Sequence, residues 1–199
     1  MSNSTTIYKL NKYSFSTKEI NDLVKSWLIL SLAFGIILSD KIFDASIIKY
    51  IGLSAMTVGV AFIFHELAHK FVAQKYGLFA EFRANYTMLY LALIMSLFGF
   101  IFVAPGAVMI RGQPGKSRYG RVAMAGPLMN IVLGIIFGMF YFIYGGQLLF
   151  YGFIINSFLA LFNMLPIAMF DGKKIYNWNK NVFWIMVITS GMLVMLAYV

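Results

Sequence analysis

Long runs of apolar residues fill most of this chain, and they limit its possible folds more than any other sequence feature. A helix of about 20 mainly apolar residues is long enough to cross a bilayer. With 61% hydrophobic and 12% charged residues among 199, the chain has more apolar surface than a soluble globule of that size buries. This excludes a soluble domain, a disordered chain and a nucleic-acid-binding module. The runs lie at about 27–39, 47–76, 87–110, 122–144, 147–170 and 182–199.

These runs predict an all-α polytopic membrane protein with about five to six transmembrane helices. No internal repeat and no appended soluble segment interrupts the pattern. Residues 1–199 are therefore expected to form a single integral membrane domain embedded in the lipid bilayer.

The basic residues predict how the chain is threaded through the membrane. Lysine and arginine concentrate on the cytoplasmic side of membrane proteins. If the segment 87–110 begins and ends on the same side of the bilayer, fourteen of the sixteen basic residues lie on one side. If the segment crosses the bilayer a single time, seven of those fourteen residues move to the other side. We therefore predict a multi-pass cell-membrane protein with a cytoplasmic N-terminus. The segment 87–110 then enters and leaves from the same face, or crosses twice as a tight pair.

Part of that segment has the composition of β structure. The β-prone runs 100–103 and 107–110 flank Pro105 and Gly106, and Pro followed by Gly suits the centre of a type II turn. Non-helical backbone at membrane depth is tolerated where it is buried in protein or lines a wet cavity. We predict a short re-entrant β-hairpin-like segment near 98–111. The alternative is an ordinary helical hairpin with a proline break.

The only two histidines of the chain, His65 and His69, flank Glu66 in an HExxH pattern within an apolar run. Residues four apart share one face of a helix, so both imidazoles reach one metal ion. Glu66 then stands beside the open coordination position, where it can accept a proton from the attacking water. The alternative is a chance pattern on a polar helix face, which the apolar surroundings disfavour. Apart from Asp171, the remaining acidic residues, Glu19 and Asp22 among them, are expected in loops or at span edges.

A catalytic zinc site needs a third protein ligand and an open position. Because the chain has no cysteine and no third histidine, that ligand must be an oxygen donor. Asp171 ends an apolar run on the same predicted cytoplasmic side as the histidines, and Pro166 breaks the helix before it. The alternative is a helix-end carboxylate paired with Lys173 or Lys174.

Three sequence elements in this order resemble the site-2 protease family of intramembrane zinc metalloproteases. The resemblance covers about 47–174, the expected catalytic core, with peripheral spans at about 22–39 and 182–199. It implies that His65, His69 and Asp171 bind one zinc ion and that Glu66 is the catalytic acid and base. The elements are His65, Glu66 and His69, then Gly126, Pro127 and Asn130, then Asn163, Pro166, Asp171 and Gly172.

The resemblance also implies substrate-binding residues. Asn163 is similar to a family asparagine near the substrate, and Asn130 has a substrate role or serves helix packing. Separately, the β-prone runs around Pro105 and Gly106 lead us to expect that the segment 100–110 offers a strand edge that holds an unwound substrate extended.

The expected function is hydrolysis of peptide bonds within or next to transmembrane segments of membrane-protein substrates. The active site is expected within the bilayer, toward the cytoplasmic side, and no nucleic-acid partner is expected. One alternative is another membrane HExxH metalloprotease, but such enzymes draw a third ligand from a downstream glutamate, and Glu81 lies too close to the motif. The other is a non-catalytic zinc-binding or transport protein, in which Glu66 would have no evident purpose.

Overall fold

The computed structural model describes residues 6–10, 13–39, 44–102, 104–167 and 170–199. The described part of the chain is mostly helical, with two small antiparallel sheets. Its elements are β1 (Ile7–Leu10), β2 (Tyr13–Ser16), α1 (Thr17–Leu38), α2 (Ile47–Ser54), a π-helical turn (Ala55–Gly59), α3 (Val60–Lys75), β3 (Phe79–Ala84), α4 (Tyr86–Ser96), β4 (Gly106–Arg111), α5 (Lys116–Tyr144), α6 (Gln147–Asn163), α7 (Asp171–Trp178) and α8 (Lys180–Leu196).

Among the described residues, three helices are long and apolar enough to cross a membrane. They are α1, the continuous unit of α2, the π-helical turn and α3, and α5, with 22, 29 and 29 residues. The apolar helices α4, α6 and α8 are shorter, with 11, 17 and 17 residues. This confirms the helical class, while the number of five to six spans stays a prediction.

The β segment is present, but its pairing differs from the prediction. Strand β4 pairs antiparallel with β3, with Gly106 opposite Ala84 and Arg111 opposite Phe79. Of the run 100–103, residues 100–102 lie outside any strand, and Val103 lies outside the described residues. The hairpin expected within 98–111 is therefore wrong, because the partner strand precedes α4 in the chain.

Gly106 does not sit in a turn but begins β4. A Cβ there would stand 2.6 Å from the Arg83 carbonyl oxygen and within 2.8 Å of the Phe82 ring, so only glycine permits this close strand pairing. Next to it, the Pro105 carbonyl accepts from the Asn85 amide at 2.9 Å. The segment 87–110 therefore returns to the place where it begins, beside Asn85. Because α4 is the single helix within its described residues, an ordinary helical hairpin is excluded.

The N-terminal region packs against the end of α3. The Ser14 amide donates to Gln74 Oε1 at 3.1 Å, and Gln74 Nε2 donates to the carbonyl oxygens of Ser14 and Ala80. These bonds connect β2, the C-terminal end of α3 and β3. The N-terminal hairpin and the start of the β3–β4 sheet therefore lie at one end of the helix bundle.

Glu19 and Asp22 lie in the first two turns of α1, at an edge of that span as expected, but both are buried. They accept hydrogen bonds from backbone amides at the outer edge of β3. Glu19 accepts from the Phe82 amide at 2.8 Å and forms a fully buried ion pair with Lys70. Asp22 accepts from the Tyr86 hydroxyl at 2.6 Å. These partners satisfy the carboxylates and allow α1 to bury them.

Helix α5 is the central element that positions the site. It packs against α3, α6 and α7. Gly120 lies directly against the Trp178 side chain, where a Cβ would overlap the indole. This contact holds α7, which begins with Asp171, close to α5 and therefore close to the histidines of α3.

Candidate metal centre

Two histidines from α3 and one aspartate from α7 converge on a single point. His69 Nε2 lies 2.9 Å from Asp171 Oδ2 and 3.1 Å from His65 Nε2, and His65 Nε2 lies 3.5 Å from Asp171 Oδ2. Donor atoms at about 2.0–2.1 Å from a tetrahedral zinc ion are about 3.3 Å apart. The three side chains are buried and form one group that could hold a metal ion.

Hydrogen bonds at the far side of each imidazole fix its orientation. His65 Nδ1 lies 2.5 Å from Asn130 Oδ1, and His69 Nδ1 lies 2.7 Å from the Val122 carbonyl oxygen. Because both partners accept, each Nδ1 carries the proton and each Nε2 keeps a lone pair. This is the arrangement by which proteins orient metal-binding histidines.

Asn130 lies behind His65 rather than on the wall of the cavity. Its Nδ2 donates to the Ala61 carbonyl at 3.2 Å and to Asn156 Oδ1 at 3.1 Å, which leaves Oδ1 to accept from His65. Asn156 in turn donates to the Gly152 carbonyl at 2.8 Å. The sequence reasoning missed Asn156. Its signal is a fully buried amide in the apolar helix α6.

Gly126 on α5 leaves the space that a bound ion needs. A Cβ at this position would stand 2.6 Å from His65 Nε2 and would also overlap His69 Nε2. That point is close to where an ion shared by the two nitrogens must sit. The absence of a side chain at Gly126 and the chemistry of the three donors both fit zinc.

Asp171 uses its two oxygens differently. Oδ2 faces the imidazoles, while Oδ1 lies 3.0 Å from Lys174 Nζ. The predicted alternatives, a metal ligand and a helix-end ion pair, are therefore compatible. Burial lowers the pKa of Lys174, and the Asp171 carboxylate more than offsets this, so the pKa is raised.

The backbone at the start of α7 is held by close packing. A Cβ on Gly172 would stand 2.8 Å from the Leu165 carbonyl oxygen and closer still to that of Met164. Only glycine allows α7 to begin this near the end of α6. This approach brings Asp171 to the histidines.

A cavity of about 600 Å³ opens beside the three donors. Glu66 lies on its wall and is only 8% exposed, and the Val108 amide of β4 interacts with the Glu66 carboxylate. Asn163 also lines the cavity, and its Nδ2 donates to the Leu159 carbonyl at 2.8 Å. Pro105 and Gly106 line the same cavity, together with the rest of β4 as far as Ile110.

The arrangement combines a three-donor face with a carboxylate and a largely apolar chamber. The donors leave one side of the point they share facing the cavity, where Glu66 stands. Three protein ligands, an open position and an adjacent general base are the parts of a hydrolytic metal site.

One relative extends these observations. The chain is 46% identical over 178 residues to a protein of Methanocaldococcus jannaschii that bears the name "putative zinc metalloprotease". The match covers 86% of this chain and 90% of the relative. No protein-family model matches the chain. No solved structure matches it.

Proposed function

The chain belongs to the same family of zinc metalloproteases as this archaeal relative, and from that premise we propose that it hydrolyses peptide bonds within or next to transmembrane segments of membrane proteins. Its substrates are then the transmembrane segments of other proteins in the same bilayer. The site-2 protease motifs of the sequence support this finer assignment.

The observation that carries the proposal is the depth of the site along an apolar helix. His65 lies ten residues before Lys75, the last residue of α3, which is about 15 Å along the helix axis. The hydrocarbon core of a bilayer is about 30 Å thick. With α3 spanning the membrane and ending at the predicted cytoplasmic face, the site lies well below the membrane surface, about halfway into the hydrocarbon core.

In this proposal His65, His69 and Asp171 hold one zinc ion, which when bound supplies Lewis acidity toward the substrate carbonyl and the attacking water. The Glu66 carboxylate accepts the proton of that water and passes it to the leaving amine nitrogen. Asn130 and Asn156 keep His65 in the correct tautomer and orientation. Asn163 stands on the cavity wall, where it contacts the substrate.

A substrate helix must unwind before its backbone reaches the site, and the edge of β4 suits an extended segment. The Phe82 amide of β3 donates to Glu19, outside the strand pair. Phe82 and its partner Val108 therefore form a non-hydrogen-bonded pair, and the backbone groups of Val108 also point away from β3. By alternation, Gly106 and Ile110 do the same. The Val108 amide contacts Glu66, and the other outward-facing backbone groups of β4 have no hydrogen-bond partner within the described part of the chain. They form an edge along the cavity that suits strand addition.

The test compares wild type with Glu66→Ala after reconstitution with a single-span substrate in liposomes. We expect Glu66→Ala to retain zinc and to lose cleavage, because the general base is gone while the donors stay. Glu81→Ala is the matched control, since Glu81 lies outside the cavity and pairs with Arg83. Full cleavage by Glu66→Ala would overturn the mechanism. Cleavage of soluble peptides with none of the membrane substrate would overturn the substrate class.

A further inference from the structure

We propose that Lys174 is a positioning residue that restricts Asp171 to binding the metal through one oxygen. The inference rests on the zinc site of the proposed function and assigns a role to a residue outside the ligand set. Lys174 follows Asp171 by three positions in α7 and lines the same cavity. Its ammonium and the two imidazoles approach the carboxylate from different sides.

The geometry divides the two carboxylate oxygens between two partners. Asp171 Oδ2 lies 2.9 Å from His69 Nε2 and belongs to the converging donors, while Oδ1 lies 3.0 Å from Lys174 Nζ. A bond between charged groups is about twice as strong as a neutral one. The Asp171 side chain is 10% exposed, so little solvent competes with Lys174 for Oδ1.

The division matters because a carboxylate can bind a metal through one oxygen or through both. A catalytic zinc site keeps one position open for water beside three protein ligands. If Oδ1 turned toward the metal, it would compete for that position. By holding Oδ1, Lys174 keeps the position beside Glu66 available.

The adjacent lysine provides an internal comparison. Lys173 is exposed, and among the described residues the salt bridge from a lysine or arginine to Asp171 comes from Lys174. Both lysines lie in the first turn of α7, so both contribute similarly to its charge and helix propensity. A difference between variants of the two therefore reports the contact with Oδ1 rather than the general charge of α7.

The test uses cobalt in place of zinc and compares Lys174→Met, Lys174→Arg and the matched control Lys173→Met. Four-coordinate Co²⁺ absorbs visible light more strongly than five- or six-coordinate Co²⁺, so the spectrum reports the coordination number directly. We expect wild type, Lys174→Arg and Lys173→Met to share one intense spectrum. Lys174→Met should show a weaker spectrum, and its zinc affinity should fall by about 10–100-fold, the usual effect of losing an outer partner of a ligand.

An unchanged cobalt spectrum and zinc affinity in Lys174→Met would overturn the inference. If Lys174→Met fails to fold, Lys174→Ala supports the same comparison, because alanine favours the helix and removes the contact with Oδ1. Failure of the proposed function has a different signature. In that case wild type itself would bind no stoichiometric metal, or Asp171→Ala would bind it as wild type does.

Discussion

Replacing Gly126 with alanine tests the metal centre through the space it needs. A Cβ at Gly126 would stand 2.6 Å from His65 Nε2, whereas real Cβ contacts stay beyond 3.0 Å. The imidazole or α5 must therefore move by at least about 0.4 Å, and a working metal site tolerates about 0.2 Å in its ligand distances. The added methyl group also competes with the ion for its place. We expect zinc affinity to fall by about 100-fold or more, at or beyond the upper end of outer-partner effects.

The assay is competition for zinc between the purified protein and a chelator of known affinity. The matched control is Gly134→Ala on the same helix, where the added Cβ meets the Ser157 hydroxyl at 3.1 Å and nothing closer. Both variants raise helix propensity by about 1 kcal/mol, so destabilisation of α5 cannot explain a difference between them. Equal zinc affinity in Gly126→Ala and wild type would refute the placement of the ion between the two Nε2 atoms.

Three further changes probe the surroundings of the site. Lys70→Met leaves the Glu19 carboxylate buried and unpaired and should cost about 3–5 kcal/mol of stability. Thermal unfolding in detergent should show that the double variant with Glu19→Gln is more stable than Lys70→Met alone. Strictly additive effects of the two substitutions would contradict this coupling. Ile110→Pro removes a backbone amide from the outer edge of β4 but none from the hydrogen bonds between β3 and β4. Cleavage of a transmembrane substrate should therefore drop while zinc stays bound. Equal cleavage by Ile110→Pro and by the side-chain control Ile110→Ala would count against strand addition. Asn156→Leu removes the acceptor that orients the amide behind His65, and chelator competition should show about 10-fold weaker zinc binding; unchanged affinity would remove Asn156 from the network.

The histidine pair could be predicted from the sequence because its geometry is local. Four-residue spacing on a helix places His65 and His69 side by side whatever the rest of the fold does. Asp171 required a longer argument from topology and an absence of other donors, and the structure brings it to within 3.5 Å of both imidazoles. Its pairing with Lys174 also follows from three-residue spacing.

The strand pairing could not be predicted in the same way. The β-prone composition located β4, but a strand's partner depends on contacts far along the chain, and here α4 separates β3 from β4. The nearest β-prone run was therefore the wrong choice.

The burial of Glu19 and Asp22 was missed for a related reason. Their partners include backbone amides of β3 and the Lys70 ammonium. Backbone amides carry no sequence signal, so acidic residues beside a lysine-rich N-terminus look like solvent-exposed ones. Asn156 is similar, because its partner Asn130 lies on another helix.

X-ray absorption at the zinc edge, combined with zinc stoichiometry, tests the shared metal site most directly when wild type is compared with Asp171→Ala. We expect one zinc per chain in wild type, with scattering from two imidazoles and with oxygen donors at about 2.0–2.2 Å. Asp171→Ala should bind zinc far more weakly, with one oxygen donor fewer or replaced by water. Wild-type zinc without imidazole scattering, or an Asp171→Ala variant with unchanged affinity and spectrum, would contradict the claim that His65, His69 and Asp171 share one ion.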